Sequence, residues 1–191
     1  MGDRRSSKQC ITDLYGSNIV GVDDKVKGQY VIDTFHSMVH DASAFASGKL
    51  FSSVANDSTS SIMIQLDSTS YEYHLEIECF SGGDAFVYIY EDCTHTSGTS
   101  VSAFNLNRGS SNLPHMTMKH TPSGGVQGTQ LVESFIPGGT GVIGSVGSSL
   151  GTRKEFLLSP LTHSKYMVVI VNKAGTAAPL AFRLFWYEVE I

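Results

Sequence analysis

The sequence predicts an all-β domain, an antiparallel two-sheet β-sandwich preceded by an extended N-terminal arm, and three observations carry that expectation. Beyond residue 28, apolar residues recur mostly with period two, the spacing at which a strand buries one face. Clusters of Gly, Pro, Asn and Ser interrupt these runs at short intervals, as turns require. Charged residues are only 16% of the chain, against roughly 25% in ordinary soluble domains, while 41% hydrophobic content argues against wholesale disorder. At 191 residues the chain suits one domain, or one domain plus an arm, with a substantial core.

Residues 1–28 hold isolated apolar positions (Ile11, Leu14, Tyr15, Ile19 and Val20) with no sustained period. They read as an arm that orders on a neighbouring surface, leaving 29–191 as the sandwich. Residues 61–67 place Ile62, Ile64 and Leu66 on one side. Residues 71–80 put Tyr73, Leu75, Ile77 and Cys79 on one face, with His74, Glu76 and Glu78 opposite. In 85–91, Phe86, Tyr88 and Tyr90 alternate with Val87 and Ile89, so both faces are candidates for burial. Shorter runs follow at 101–107, 116–120, 130–136, 155–158 and 166–172. Residues 181–189 set Phe182, Leu184 and Trp186 against Arg183, Phe185 and Tyr187.

Ser81-Gly82-Gly83-Asp84 separates two of the clearest runs and reads as a hairpin loop, glycine supplying positive φ without a Cβ clash. Pro137-Gly138-Gly139, Pro160 and Lys173-Ala174-Gly175 interrupt other runs, and residues 138–151 form a low-complexity Gly/Ser stretch that reads as a mobile loop. No window of 12 or more residues carries a helical period. Eight or nine strands at this spacing favour a jelly roll among the sandwich folds.

A net charge of −5 with 13 scattered basic residues gives no stripe for phosphate, so nucleic acid is not an expected partner. Nor is a membrane. No stretch approaches the roughly 20 apolar residues of a span, the first residues lack the apolar core of a signal peptide, and the Met-Gly-x-x-x-Ser myristoylation pattern stands alone. Cys10, Cys79 and Cys93 cannot all pair within one chain. Cys79 and Cys93 are near enough in sequence to meet, but spacing does not establish a bond.

The chemical motifs resolve mostly into structural features. Gly139-Thr140-Gly141-Val142-Ile143-Gly144 satisfies the dinucleotide pattern, yet Ser145 to Gly151 is poor material for the helix that must receive the pyrophosphate. His36 and His40 have the four-residue spacing of two zinc ligands on a helix, but Ser37 stands where a zincin carries glutamate. On a strand the same pair would lie about 13 Å apart. Structural or interface histidines are the favoured reading. Glu91-Asp92-Cys93-Thr94-His95 gathers candidate ligands at a strand end without a matching second group, and reads as a polar turn. Glu76 and Glu78, about 7 Å apart on one strand face, read as a solvated face, not as a glycosidase pair. Gly-x-Ser-x-Gly is absent. The chain is therefore expected to bind and assemble, not to catalyse, with no cofactor and no metal.

Aromatics on both faces of several strands (Tyr71, Tyr73, Tyr88, Tyr90, Phe185, Tyr187) fit either a second packed layer or an outer face buried against another subunit. Ile11, Leu14, Tyr15, His36, His40, Tyr88 and Tyr90 are the candidate contact residues on the second reading.

Several stretches resemble proteins of tailed-bacteriophage virions. They are Ile32 to Asp41, Gly82 to Asp92, Asn105 to Asn112, Glu155 to Leu158, Tyr166 to Asn172 and Phe182 to Glu188. The likeness is to the head decoration, or capsid cement, class of small β proteins, and it rests on turn-and-strand features. The resemblance implies a homotrimeric jelly roll on the outer capsid surface, bound to the major capsid protein and stabilising the shell. A carbohydrate- or receptor-binding module of a virion tail is the alternative, supported by the supply of Tyr, Trp186 and polar loops.

Overall fold

The computed structural model describes residues 34–138 and 155–191 with their side chains, and before them the backbone of three strands. These are β1 (Ile11–Thr12), β2 (Asn18–Asp23) and β3 (Gly28–Asp33), an antiparallel sheet in the order β1-β2-β3 that hydrogen-bonds to neither sheet of the sandwich. The segment read as an arm thus carries a small sheet of its own. Helix α1 (Thr34–His40) follows and leads into the sandwich.

The sandwich strands are β4 (Ala44–Val54), β5 (Thr59–Leu66), β6 (Tyr71–Ser81), β7 (Ala85–Glu91), β8 (Ser97–Ser100), β9 (Ala103–Asn105), β10 (Met116–Ser123), β11 (Thr129–Ile136), β12 (Phe156–Leu158), β13 (Lys165–Asn172) and β14 (Ala178–Glu190). Six form one sheet in the order β11-β7-β13-β5-β10-β8, and five the other in the order β12-β6-β14-β4-β9. All pairings are antiparallel, and they nest. Strand β4 pairs with β14, β5 with β13, β6 with β12 and β7 with β11. A long hairpin rolled up on itself leaves this order, the winding expected of a jelly roll.

Period-two burial builds the core between the sheets. In β6, Tyr73, Leu75, Ile77 and Cys79 point inward while His74, Glu76 and Glu78 remain partly exposed. In β14, Phe182, Leu184 and Trp186 lie beside them on the same inner face, paired with Cys79, Ile77 and Leu75. The opposite sheet contributes Ile62, Ile64, Val87, Ile89, Val168 and Ile170. Trp186 stacks on Phe45 at 5.6 Å between ring centroids, inside the range at which aromatic pairs add to area burial.

Three sequence expectations are corrected here. Residues 81–84 are not a hairpin loop, because β6 and β7 lie in different sheets and the segment arches between them. Its glycines answer to crowding, not to positive φ. A Cβ on Gly82 would come within 2.6 Å of Pro179 Cδ, and one on Gly83 within 2.4 Å of Ala174 Cβ. Of the run expected at 101–107 only residues 103–105 form a strand, β9, while β8 ends just before it at Ser100 and belongs to the opposite sheet, so the chain changes layers between them. Finally, β4 escaped the period-two reading because Gly48, Lys49 and its serines interrupt the alternation, although β14 pairs with it along nearly its whole length.

Helix α1 is only seven residues long and ends in a left-handed cap. Ala42 has φ of 58°, with Ser43 N donating to Met38 O and Ala42 N to Val39 O. These are the two bonds of a Schellman motif, in which glycine is the usual left-handed residue.

Candidate functional site

The outer face of the six-stranded sheet is half covered. Cys93 packs on Met63, Met167 and Val169 to form a small second apolar cluster there. The chain beyond Cys93 is held by Thr94 N donating to Val126 O and by Val126 N donating to Thr94 Oγ1. The other half, over β7 and β11, is left open by the described residues. Because Val87 and Ile89 point into the core, Phe86, Tyr88 and Tyr90 must point out, and all three are partly exposed. Their rings follow one another at 6.3 and 6.2 Å. Phe135, which is paired with Phe86 across the strands and 48% exposed, adds its ring at 5.3 Å. Val169 and Val171 of β13 flank Tyr88 and Phe86 on the other side. Four aromatic rings on a rigid sheet thus make one partly solvated apolar strip. Burial raises the Tyr90 pKa, with Tyr88 and Glu133 adding to the effect, so its hydroxyl stays a neutral donor at physiological pH.

The candidate contact residues do not share one surface. Tyr88 and Tyr90 lie on this strip. His36 and His40 sit on α1, which packs on the outer face of the other sheet through Phe35 against Tyr187, with ring centroids 6.1 Å apart. Ile11 belongs to β1, where it pairs with Val20. Leu14 and Tyr15 lie outside the described residues, as do Cys10 and the Gly139–Gly144 motif. Glu76 and Glu78 remain a solvated face, Glu78 accepting from Arg183 Nη1 at 3.2 Å across the strands.

Two polar groupings had no local sequence signal. In the first, the buried Glu188 carboxylate accepts from His115 N at 2.9 Å, His115 Nδ1 at 2.7 Å and Trp186 Nε1 at 3.1 Å. The His115 ring stacks on Tyr71 at 4.1 Å. Tyr71, His115 and Glu188, together with Ala42, Ser43 and Asn112, line a cleft of about 290 Å³ at one end of the sandwich. An imidazole whose Nδ1–H is held by a carboxylate presents Nε2 as an oriented acceptor.

The second grouping joins Glu91 and Asp92 to His163, not to Cys93 or His95 as their adjacency suggested. Cys93 and His95 are buried instead, and His95 Nδ1 has no hydrogen-bond partner among the described residues. His163 stands between the carboxylates, with Nδ1 2.9 Å from Asp92 and Nε2 3.6 Å from Glu91. The hydrogen bond to Asp92 raises the His163 pKa. Opposite ring nitrogens serve opposite carboxylates, the arrangement of a clamped imidazolium. The pair Cys79 and Cys93 is not bonded. Both are free, Cys79 in the main core with its thiol pushed up to about 12 by burial, and Cys93 in the outer cluster.

No family model, curated protein or solved structure matches this chain.

Proposed function

We propose that the chain is a virion structural protein that decorates the outer surface of a capsid and stabilises the shell by binding the major capsid protein, as a homotrimer. The observation that carries this reading is the open aromatic strip of Phe86, Tyr88, Tyr90 and Phe135 on a rigid two-sheet scaffold. Aromatic side chains offer large contact area at low entropic cost and are enriched at protein interfaces. The virion context comes from the resemblance of the turn-and-strand segments to capsid cement proteins. A shell under outward pressure from packaged DNA gains from many modest contacts across capsomer boundaries. An oligomer multiplies them, since each further contact becomes intramolecular once one subunit has docked. Cryo-electron microscopy of particles carrying the chain tests this. Density over the capsid lattice, with the β7 face toward the shell, is expected. Density on the tail alone, or none on the particle, refutes it.

A second reading, a carbohydrate-binding module of a virion tail, is favoured by one observation. The cleft beside Tyr71 combines an oriented imidazole, a buried carboxylate and a ring stack, the kind of lining that takes a polyhydroxylated ligand. Glycan binding lost in His115→Ala, with no affinity for capsids, would replace the first reading by this one.

A further inference from the structure

Helix α1 presents His36 and His40 one turn apart, both exposed, while Phe35 anchors the helix on Tyr187. The two Nε2 atoms lie 3.0 Å apart, the rings inclined at 64° with centroids at 4.7 Å. A neutral histidine pair can make a single hydrogen bond in this geometry. The same geometry also suits a chelate. With metal–nitrogen bonds of about 2.05 Å, two nitrogens 3.0 Å apart subtend about 94° at a shared ion. A tetrahedral site would need them about 3.3 Å apart. An angle near 90° is the cis angle of square-planar or tetragonal coordination, the preference of Cu(II) and Ni(II).

We propose that His36 and His40 form a bidentate imidazole site for a tetragonal divalent transition metal, Cu(II) before Ni(II) and Zn(II). Water completes the coordination on the exposed side. The order follows from the cis angle together with the general rise of imidazole affinity toward copper. Occupation has a structural consequence. A seven-residue helix is marginal by itself, and an ion bound across four of its residues clamps it in the helical state. Because α1 is the link between the N-terminal sheet and β4, the ion braces that junction. His40 O already accepts from Asn107 Nδ2 at 3.3 Å, so the C-terminal end of the helix is tied down before any metal arrives.

The experiment titrates the full chain with CuCl₂ and follows the visible Cu(II) absorption and the electron paramagnetic resonance spectrum. One equivalent with two coupled ring nitrogens is expected, followed in strength by NiCl₂ and ZnCl₂. His36→Gln and His40→Gln should each weaken that equivalent by about tenfold or more, because the second imidazole acts at high effective concentration. His163→Gln should leave it unchanged. The double variant H40Q/D41H keeps the number of histidines but breaks the spacing, and should bind as weakly as H40Q. Circular dichroism checks that each variant is folded, which their exposure favours. Equal copper affinity in wild type and H36Q, or in wild type and H40Q/D41H, overturns the proposal. So does zinc binding tighter than copper.

Discussion

Replacing Glu188 by alanine should destabilise the sandwich by about 3 kcal/mol, although the residue lies near the end of the last strand. Its carboxylate accepts from three donors, and their surroundings differ. Trp186 is fully buried, so its indole N–H would be left with no acceptor, at a cost of about 1–3 kcal/mol. The His115 backbone N–H is part-buried and adds roughly another 1 kcal/mol. The His115 ring, its side chain 44% exposed, can turn to water and adds little. Glu188→Gln retains one acceptor oxygen and should lose about half as much. Urea unfolding followed by the fluorescence of Trp186, the single tryptophan of the chain, reports the difference. Glu190→Ala, exposed on the same strand, is the control and should stay within about 0.5 kcal/mol of wild type. A loss below about 1 kcal/mol in Glu188→Ala, at unchanged denaturant slope, would mean that this carboxylate does not organise the end of the sandwich.

Other consequences follow from single residues. Ala42→Gly should raise stability by a few tenths to about 1 kcal/mol in the same assay, because Ala42 holds φ of 58° at the helix cap; a loss would contradict the cap. Asn172→Ala should cost about 2–3 kcal/mol, since the buried amide donates to Val54 O and Thr176 O and accepts from Ala174 N. An unchanged urea midpoint would contradict that. His163 should titrate above its ordinary value of 6.5 in an NMR titration of the ring protons, and Asp92→Asn should bring it back down. A folded pKa that is raised gives stability fully present below the unfolded value and lost as pH rises through the folded one. The contribution of His163 is therefore lost as pH rises above 6.5 through the raised folded value, and a wild-type midpoint at or below 6.5 would refute the clamp.

The layers of this protein were legible where one strand face meets the core and the other meets water. Strands β6 and β14 show it best, their alternation matching their burial residue by residue through Tyr73–Cys79 and Phe182–Trp186. The aromatic strip was legible in part. Period two sends Tyr88 and Tyr90 outward together, but Phe135 joins them only through the β11–β7 register, which no local pattern encodes. The same limit hid the polar clusters. Glu188 and His115 are 73 residues apart, and His163 and Asp92 are 71 apart. Adjacency at Glu91 to His95 did not reveal the grouping with His163, because the turn after β7 buries Cys93 in the outer cluster and leaves Asp92 exposed. At Gly82 and Gly83 the residue type was informative but its cause was not local, since the crowding comes from Pro179 and Ala174.

Hydroxyl-radical footprinting of the tyrosines, free and on the particle, asks most directly whether the β7 face is where this protein is held. Tyr73 and Tyr166, buried in the core, serve as internal references that stay protected in both states. Tyr88 and Tyr90 should be reactive in the free protein and become protected on the particle. Equal reactivity of Tyr88 and Tyr90 in the two states would contradict the account.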